Sequence, residues 1–205
     1  MMNAGSDTTA IAMTNFLYII MKHPHIMAKL RSEIDEALKD EDPNIDVVPY
    51  AKVRNIPYLR ACIDESLRLW PPTGVGLPRE TPKGGTTILG QHIPGGVTVS
   101  VPIFTTHRDP KAWHHPDEFL PERWLADDAP ILMSRYFMPF SFGGRACIGR
   151  NISYLEQTIF LATILRRYEF AFKDPDWQIK RVEGMNTWPQ AFPVKIWRRK
   201  IPVTS

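Results

Sequence analysis

The 205 residues suffice for one ordinary domain, and a hydrophobic share of 43% against 23% charged residues provides for a packed core and argues against disorder. A formal charge of +3, with no interleaving of basic and aromatic residues, does not suggest a nucleic-acid binder. Two widely separated cysteines, Cys62 and Cys147, form neither a disulfide scaffold nor a paired zinc site and read as free thiols of a reducing compartment.

The first predicted element is a helix from about Met2 to Lys22. It is apolar on nearly every face and should be buried. Its most apolar run, Ala10 to Met21, includes Thr14 and Asn15 and falls short of the roughly 20 residues of a membrane span, so it reads as a core helix. No signal peptide is recognisable. His23-Pro24 breaks the helix. A second helix, about Pro24 to Lys39, carries Ile26, Leu30, Ile34, Ala37 and Leu38 on one face. Asp40 to Asp46 is a charged surface loop. A third helix, about Pro57 to Trp70, gathers Leu59, Cys62, Ile63, Ser66, Leu67 and Trp70 on one face and stops at Pro71-Pro72.

Many of the 19 prolines fall between Pro71 and Pro139, which predicts loops and edge strands there. Short strands are expected at Thr86–Leu89 and Val97–Val101, with turns at Gly90 and Pro94-Gly95-Gly96. Irregular chain should follow to about Ser141. A long helix from about Ile148 to Arg167 would bury Ile152, Leu155, Ile159, Ala162 and Leu165. Weak alternation at Phe170, Phe172, Val194 and Ile196 suggests a terminal hairpin. Trp197-Arg-Arg-Lys200 reads as a solvated charge run, and the sequon Asn151-Ile-Ser153 as a decoy on a helix.

The segment Phe140-Ser-Phe-Gly-Gly-Arg-Ala-Cys-Ile-Gly149 holds the densest chemistry. Gly143 and Gly144 permit a tight turn. Cys147 stands just before the long helix, whose N-terminus favours thiolate over thiol, and Arg145 adds a second positive group. Gly149 lets a flat ligand approach the backbone. On these residues alone three other readings stay open: a buried structural cysteine, a cysteine nucleophile lacking a local histidine base, and a phosphate loop with Arg150 and Asn151 where lysine and a hydroxyl belong.

The segment resembles the haem-binding signature of the cytochrome P-450 superfamily, Phe-x-x-Gly-x-Arg-x-Cys-x-Gly, at every fixed position. The resemblance implies haem b with Cys147 as the axial thiolate, Arg145 on a propionate, and Ala4, Phe140, Gly143, Ile148 and Gly149 at the haem. Three more motifs follow in the family's order. Ala4-Gly5-Ser6-Asp7-Thr8-Thr9 resembles the oxygen-activation motif, which assigns Thr8 to dioxygen and Asp7 to proton relay. Without the resemblance, Ser6 or Asp7 reads as the N-cap of a helix starting at Thr8. Glu65-Ser-Leu-Arg68 reads on spacing as a solvated surface pair, whereas the resemblance makes it a core lock with Arg123 of Pro121-Glu-Arg123-Trp124. Trp124 stands where the family has Phe. Arg79 sits where members place a second propionate ligand. Pro71 to Leu77 would border the substrate side of the haem. His107-Arg-Asp-Pro110 also resembles the family, without an evident chemical role.

The implied fold is mainly α with small β-sheets (α+β), residues 1–205 being the C-terminal portion of a single domain. The implied activity is monooxygenation of a small, apolar organic substrate by dioxygen. Electrons would come from an NADPH-dependent flavoprotein reductase or a ferredoxin-type donor. A full-length parent would sit on the cytoplasmic face of the endoplasmic reticulum, its anchor upstream of this chain. The rival reading is a truncated, non-catalytic haem-binding remnant. Residues 1–205 by themselves should expose an apolar surface on the first helix.

Overall fold

The computed structural model describes residues 2–126 and 131–201. Four helices build the core: α1 (Met2–Lys22), α2 (Pro24–Ala37), α4 (Pro57–Leu69) and α7 (Arg150–Arg167). The single turn α3 (Tyr50–Val53) bridges α2 to α4. Proline sets two of the boundaries. Pro24 and Pro57 each occupy the first turn of a helix, where a missing N–H costs nothing. The side chain of His23, at the break, bonds back to the Ile19 carbonyl at 2.8 Å. Phe16 and Ile20 of α1, Leu30 and Ile34 of α2, Leu59 and Ile63 of α4, and Leu161 and Leu165 of α7 are all buried in one core. Each such side chain contributes about 1.5–3 kcal/mol.

Two further helical turns, α5 (Ile103–Thr106) and α6 (Ile131–Tyr136), lie in the proline-rich half. There Trp113, Ala112 and Met133 form a second small core against Trp124, Tyr136 and Phe137. The expected irregular stretch therefore holds helical turns and a core of its own.

Among the described residues the strands make four two-stranded antiparallel ladders. β1 (Arg79–Glu80) pairs with β4 (Thr98–Val99), and β2 (Thr86–Ile88) with β3 (Gln91–Ile93). β3 has no apolar alternation, so its sequence gave no strand signal. The main chain forms it through a two-residue turn in which Leu89 (φ 49°) and Gly90 (φ 81°) are both left-handed. β5 (Tyr168–Phe172) pairs with β8 (Val194–Arg198), placing Phe170 opposite Ile196 and Phe172 opposite Val194. The pairing is as expected, but β6 (Arg181–Glu183) and β7 (Thr187–Pro189) intervene, so β5 and β8 are not one hairpin.

Three expectations need correction. The helix α7 starts at Arg150, and its buried face carries Tyr154, Gln157, Leu161 and Leu165. Ile152 and Leu155, predicted to be buried, are exposed together with Ile148 and Phe160. Only the C-terminal part of the expected stripe, Ala162 and Leu165, enters the core; over the first two turns Tyr154 and Gln157 turn inward in place of Ile152 and Leu155. The apolar surface expected on α1 is absent: α1 contributes no exposed large hydrophobic residue among its described side chains, whereas α7 contributes Ile152, Leu155 and Phe160. Finally, Arg199 is not a solvated tail residue. It is largely buried and makes a two-pronged ion pair with Asp35, at 2.9 and 2.6 Å.

Candidate functional site

The cysteine loop is closed by backbone bonds. The Cys147 N–H donates to the Phe140 carbonyl at 2.8 Å and the Ala146 N–H to Gly143 at 3.0 Å, around a single 3-10 turn at Gly143–Arg145. Gly143 takes φ 70°, which its lack of a Cβ permits, and Ser141 takes φ 60°, a strained choice for a residue with a side chain. Gly149 is the N-terminal cap residue of α7. Cys147 is exposed at the head of that helix, flanked by exposed Phe142, Arg145 and Ile148. This exposure excludes the buried structural reading for Cys147. Cys62 is the buried thiol, and burial pushes its pKa up.

The helix α1 already begins at Met2, so Ser6 and Asp7 lie inside it and the N-cap reading is wrong. Asp7 and Thr8 are half-buried, and Ala4 and Gly5 are exposed. The Thr8 hydroxyl donates to the Ala4 carbonyl at 2.7 Å. A hydroxyl has one proton and two lone pairs, so Thr8 offers lone pairs to any further partner. The next residue, Thr9, is buried and meets Ser153 of α7 oxygen to oxygen at 3.2 Å. Gln157 donates to the same Ser153 oxygen at 3.1 Å. The oxygen-motif helix and the helix behind Cys147 are thus joined side chain to side chain.

Glu65 and Arg68 have wholly buried side chains (0% exposed), so the solvated-pair reading fails. Arg68 uses all five N–H donors: two on the Glu65 carboxylate at 2.9 Å, and three on the carbonyls of His107, Pro116 and Glu118 at 2.6–3.0 Å. Glu65 also accepts from Arg123 Nε at 3.0 Å, the Leu120 N–H at 3.0 Å and Trp124 Nε1 at 2.9 Å. Trp124 is therefore more than an aromatic equivalent of Phe, since its indole N–H supplies a bond that Phe lacks.

Asp64 and Tyr154 gave no signal in the sequence, and His107 stood in a family-like segment without a role, because their partners are not local. Asp64 and Tyr154 bond across α4 and α7 at 2.7 Å. His107 is fully buried; its Nδ1 bonds the Arg68 carbonyl at 3.0 Å and its Nε2 accepts the Met138 N–H at 2.9 Å. That pair of partners requires a neutral ring with the proton on Nδ1. Burial accordingly lowers its pKa from 6.5 to about 3. The unfolded chain takes up a proton below pH 6.5 that the folded chain refuses until about pH 3. The stability contributed by His107 is complete above 6.5 and declines as pH falls, by up to about 1.4 kcal/mol per unit. Urea unfolding between about pH 5 and 6.5 should show this slope, and His107→Gln should flatten it. An unchanged slope in the variant would remove His107 as the cause.

Arg79 lies on β1, exposed, and donates to the neighbouring Pro78 carbonyl. Among the described residues no hydrogen bond or ion pair joins it to the cysteine loop. No described helix is long and apolar enough to cross a membrane.

Comparison with known proteins agrees with the fold and the motifs. The cytochrome P-450 family model matches residues 1–191. The chain is 39% identical over 180 residues to the cytochrome P-450 monooxygenase tpeC of Talaromyces stipitatus, covering 84% of this chain and 33% of the relative. It is 35% identical over 206 residues to poxM of Penicillium oxalicum, covering 98% and 40%. A crystal structure of a cytochrome P-450 haem domain superposes with a TM-score of 0.83 at 29% identity, over 96% of this chain and 42% of that one. The chain belongs to the cytochrome P-450 family and spans about a third to two-fifths of the length of these relatives.

Proposed function

We propose that this chain supplies the haem-thiolate part of a monooxygenase that inserts one atom of dioxygen into a small, apolar organic substrate. The observation that carries the proposal is an exposed cysteine on a closed loop, set among exposed apolar side chains. Phe142, Ile148 and Ile152 leave an apolar surface open around Cys147, and no heavy atom beyond the chain neighbours would meet a Cβ at Gly143 or Gly144. A flat macrocycle with an iron ligated by sulfur fits that donor set and that surface. When bound, haem supplies the reductive activation of dioxygen.

In this reading Cys147 holds the iron, Arg145 meets a propionate, and Phe140, Gly143, Ile148 and Gly149 face the macrocycle from the thiolate side. Ala4 and the helix α1 face it from the oxygen side, with Thr8 and Asp7 handling protons. Arg79 is the proposed second propionate ligand. Pro71 to Leu77 borders the substrate. Residues 1–205 form one portion of a single domain. Electrons come from an NADPH-dependent flavoprotein reductase or a ferredoxin-type donor, and the parent protein works at the cytoplasmic face of the endoplasmic reticulum. The fungal relatives named as monooxygenases support this reading.

The exposed side chains of Ile152, Leu155 and Phe160 on α7, with Ile148 just before it, favour a second statement about the 205 residues by themselves. An exposed apolar patch of this kind drives association. Expressed alone, they should be poorly soluble, bind haem weakly and show no turnover.

The test is spectroscopic. In the haem-loaded full-length parent, the reduced carbonyl complex should show the red-shifted Soret band of thiolate ligation. Cys147→Ser should lose it and Cys62→Ala should keep it. Survival of the band in Cys147→Ser would overturn the assignment.

A further inference from the structure

Glu65 has a neighbour on α4 that belongs to a different network. Asp64 faces α7, where the Tyr154 hydroxyl donates to its Oδ1 at 2.7 Å; Arg60 Nε donates to Oδ2, also at 2.7 Å. The Arg60 guanidinium lies 3.7 Å from the centre of the Tyr154 ring, covering one face of it. The same tyrosine ring meets Phe140 with centroids 5.0 Å apart and planes at 53°. Phe140 opens the cysteine loop, and its carbonyl takes the Cys147 N–H. A continuous line of contacts thus runs from α4 through Asp64, Tyr154 and Phe140 to the peptide of Cys147. The Glu65 network runs by a separate route, through Leu120, Arg123 and Trp124 and, by way of Arg68 and His107, to the Met138 N–H; it does not include Asp64, Tyr154 or Phe140.

We propose that Asp64 and Tyr154 are positioning residues for the thiolate loop: their buried bond fixes the Tyr154 ring, which sets Phe140 and through it the Cys147 peptide. This rests on Cys147 being the thiolate ligand. A tyrosine ring packed on an aromatic neighbour can still slide and tilt. The hydroxyl, pinned to a carboxylate that Arg60 also holds, removes that freedom. Phe at position 154 would keep the ring and lose the pin.

The experiment uses the haem-loaded full-length parent protein and reads how fast the thiolate band of the reduced carbonyl complex is lost, at a temperature where the helical signal does not change. Tyr154→Phe and Asp64→Asn should each lose the band about tenfold faster than wild type, the size expected for one hydrogen bond to a charged group. The double variant should be no faster than the faster single, because both break the same line. Asp35→Asn, which breaks the ion pair with Arg199, serves as the control for general destabilisation and should decay as wild type does. Wild-type decay in both singles would overturn the proposal, as would equal acceleration in Asp35→Asn. A wild-type protein without the band would instead overturn the thiolate reading and this inference with it. Loss of the band in Cys147→Ser alone, with Tyr154→Phe and Asp64→Asn unchanged, would overturn this inference only.

Discussion

Glu65→Ala should destabilise the protein by roughly 3–5 kcal/mol, and Arg68→Ala by a similar amount. Neither loss is that of a single ion pair. Removing Glu65 strands two guanidinium groups and leaves the Leu120 N–H and the Trp124 indole N–H without their acceptor. Removing Arg68 leaves a buried carboxylate and three carbonyls short of a donor. A domain of this size has about 5–15 kcal/mol of stability in all, so either change takes a large share. Melting temperatures, compared at equal haem loading, should fall by roughly 6–20 °C. A cost of about 1 kcal/mol or less would return the pair to the class of surface ion pairs. Trp124→Phe provides an internal scale, because it removes one of the Glu65 bonds and leaves both charges paired; about 1.5–3 kcal/mol is expected for it.

The second large effect concerns Thr8, under the monooxygenase reading. Thr8→Ala should still consume reductant and oxygen but release peroxide, with product formation falling on the order of 10²–10⁴-fold. The helix α1 contains its own control. Thr14 makes the same bond to the carbonyl four residues back, 2.8 Å to Ala10, as Thr8 makes at 2.7 Å to Ala4. If the hydroxyl of Thr8 serves only the helix, Thr8→Ala and Thr14→Ala should behave alike. If it handles protons, Thr14→Ala should keep the wild-type ratio of electrons used to product formed, and Thr8→Ser should restore most of what Thr8→Ala loses. Wild-type coupling in Thr8→Ala would leave Thr8 with a purely helical role.

The two networks that hold the thiolate side differ in how visible they are to a sequence reader. Glu65, Arg68 and Arg123 became visible through the family's motifs, and the structure places all three in one buried cluster. Asp64 and Tyr154 did not, and His107 stood in a family-like segment without a role, because nothing around these residues in sequence reveals a partner that lies between 31 and 90 residues away.

The sequence by itself determined the four long helices, the family, and the order of the motifs along the chain. Those signals are local. Prolines at 24, 57 and 71 bound the helices wherever the rest of the chain goes. The cysteine loop has its fixed spacing, and its glycine at 143 supplies a left-handed turn without any tertiary help. Tertiary structure alone decided that Tyr154 and Gln157 rather than Ile152 and Leu155 face the core from α7, that Gln91–Ile93 becomes a strand, and that Arg199 is ion-paired and largely shielded. It also decided that a charged pair three residues apart on α4 is buried. A glutamate and an arginine at that spacing look the same in water and in a core. What settles their place is whether distant chain delivers acceptors and donors for every remaining lone pair and N–H, and here the carbonyls of His107, Pro116 and Glu118 and the N–H of Leu120 do so.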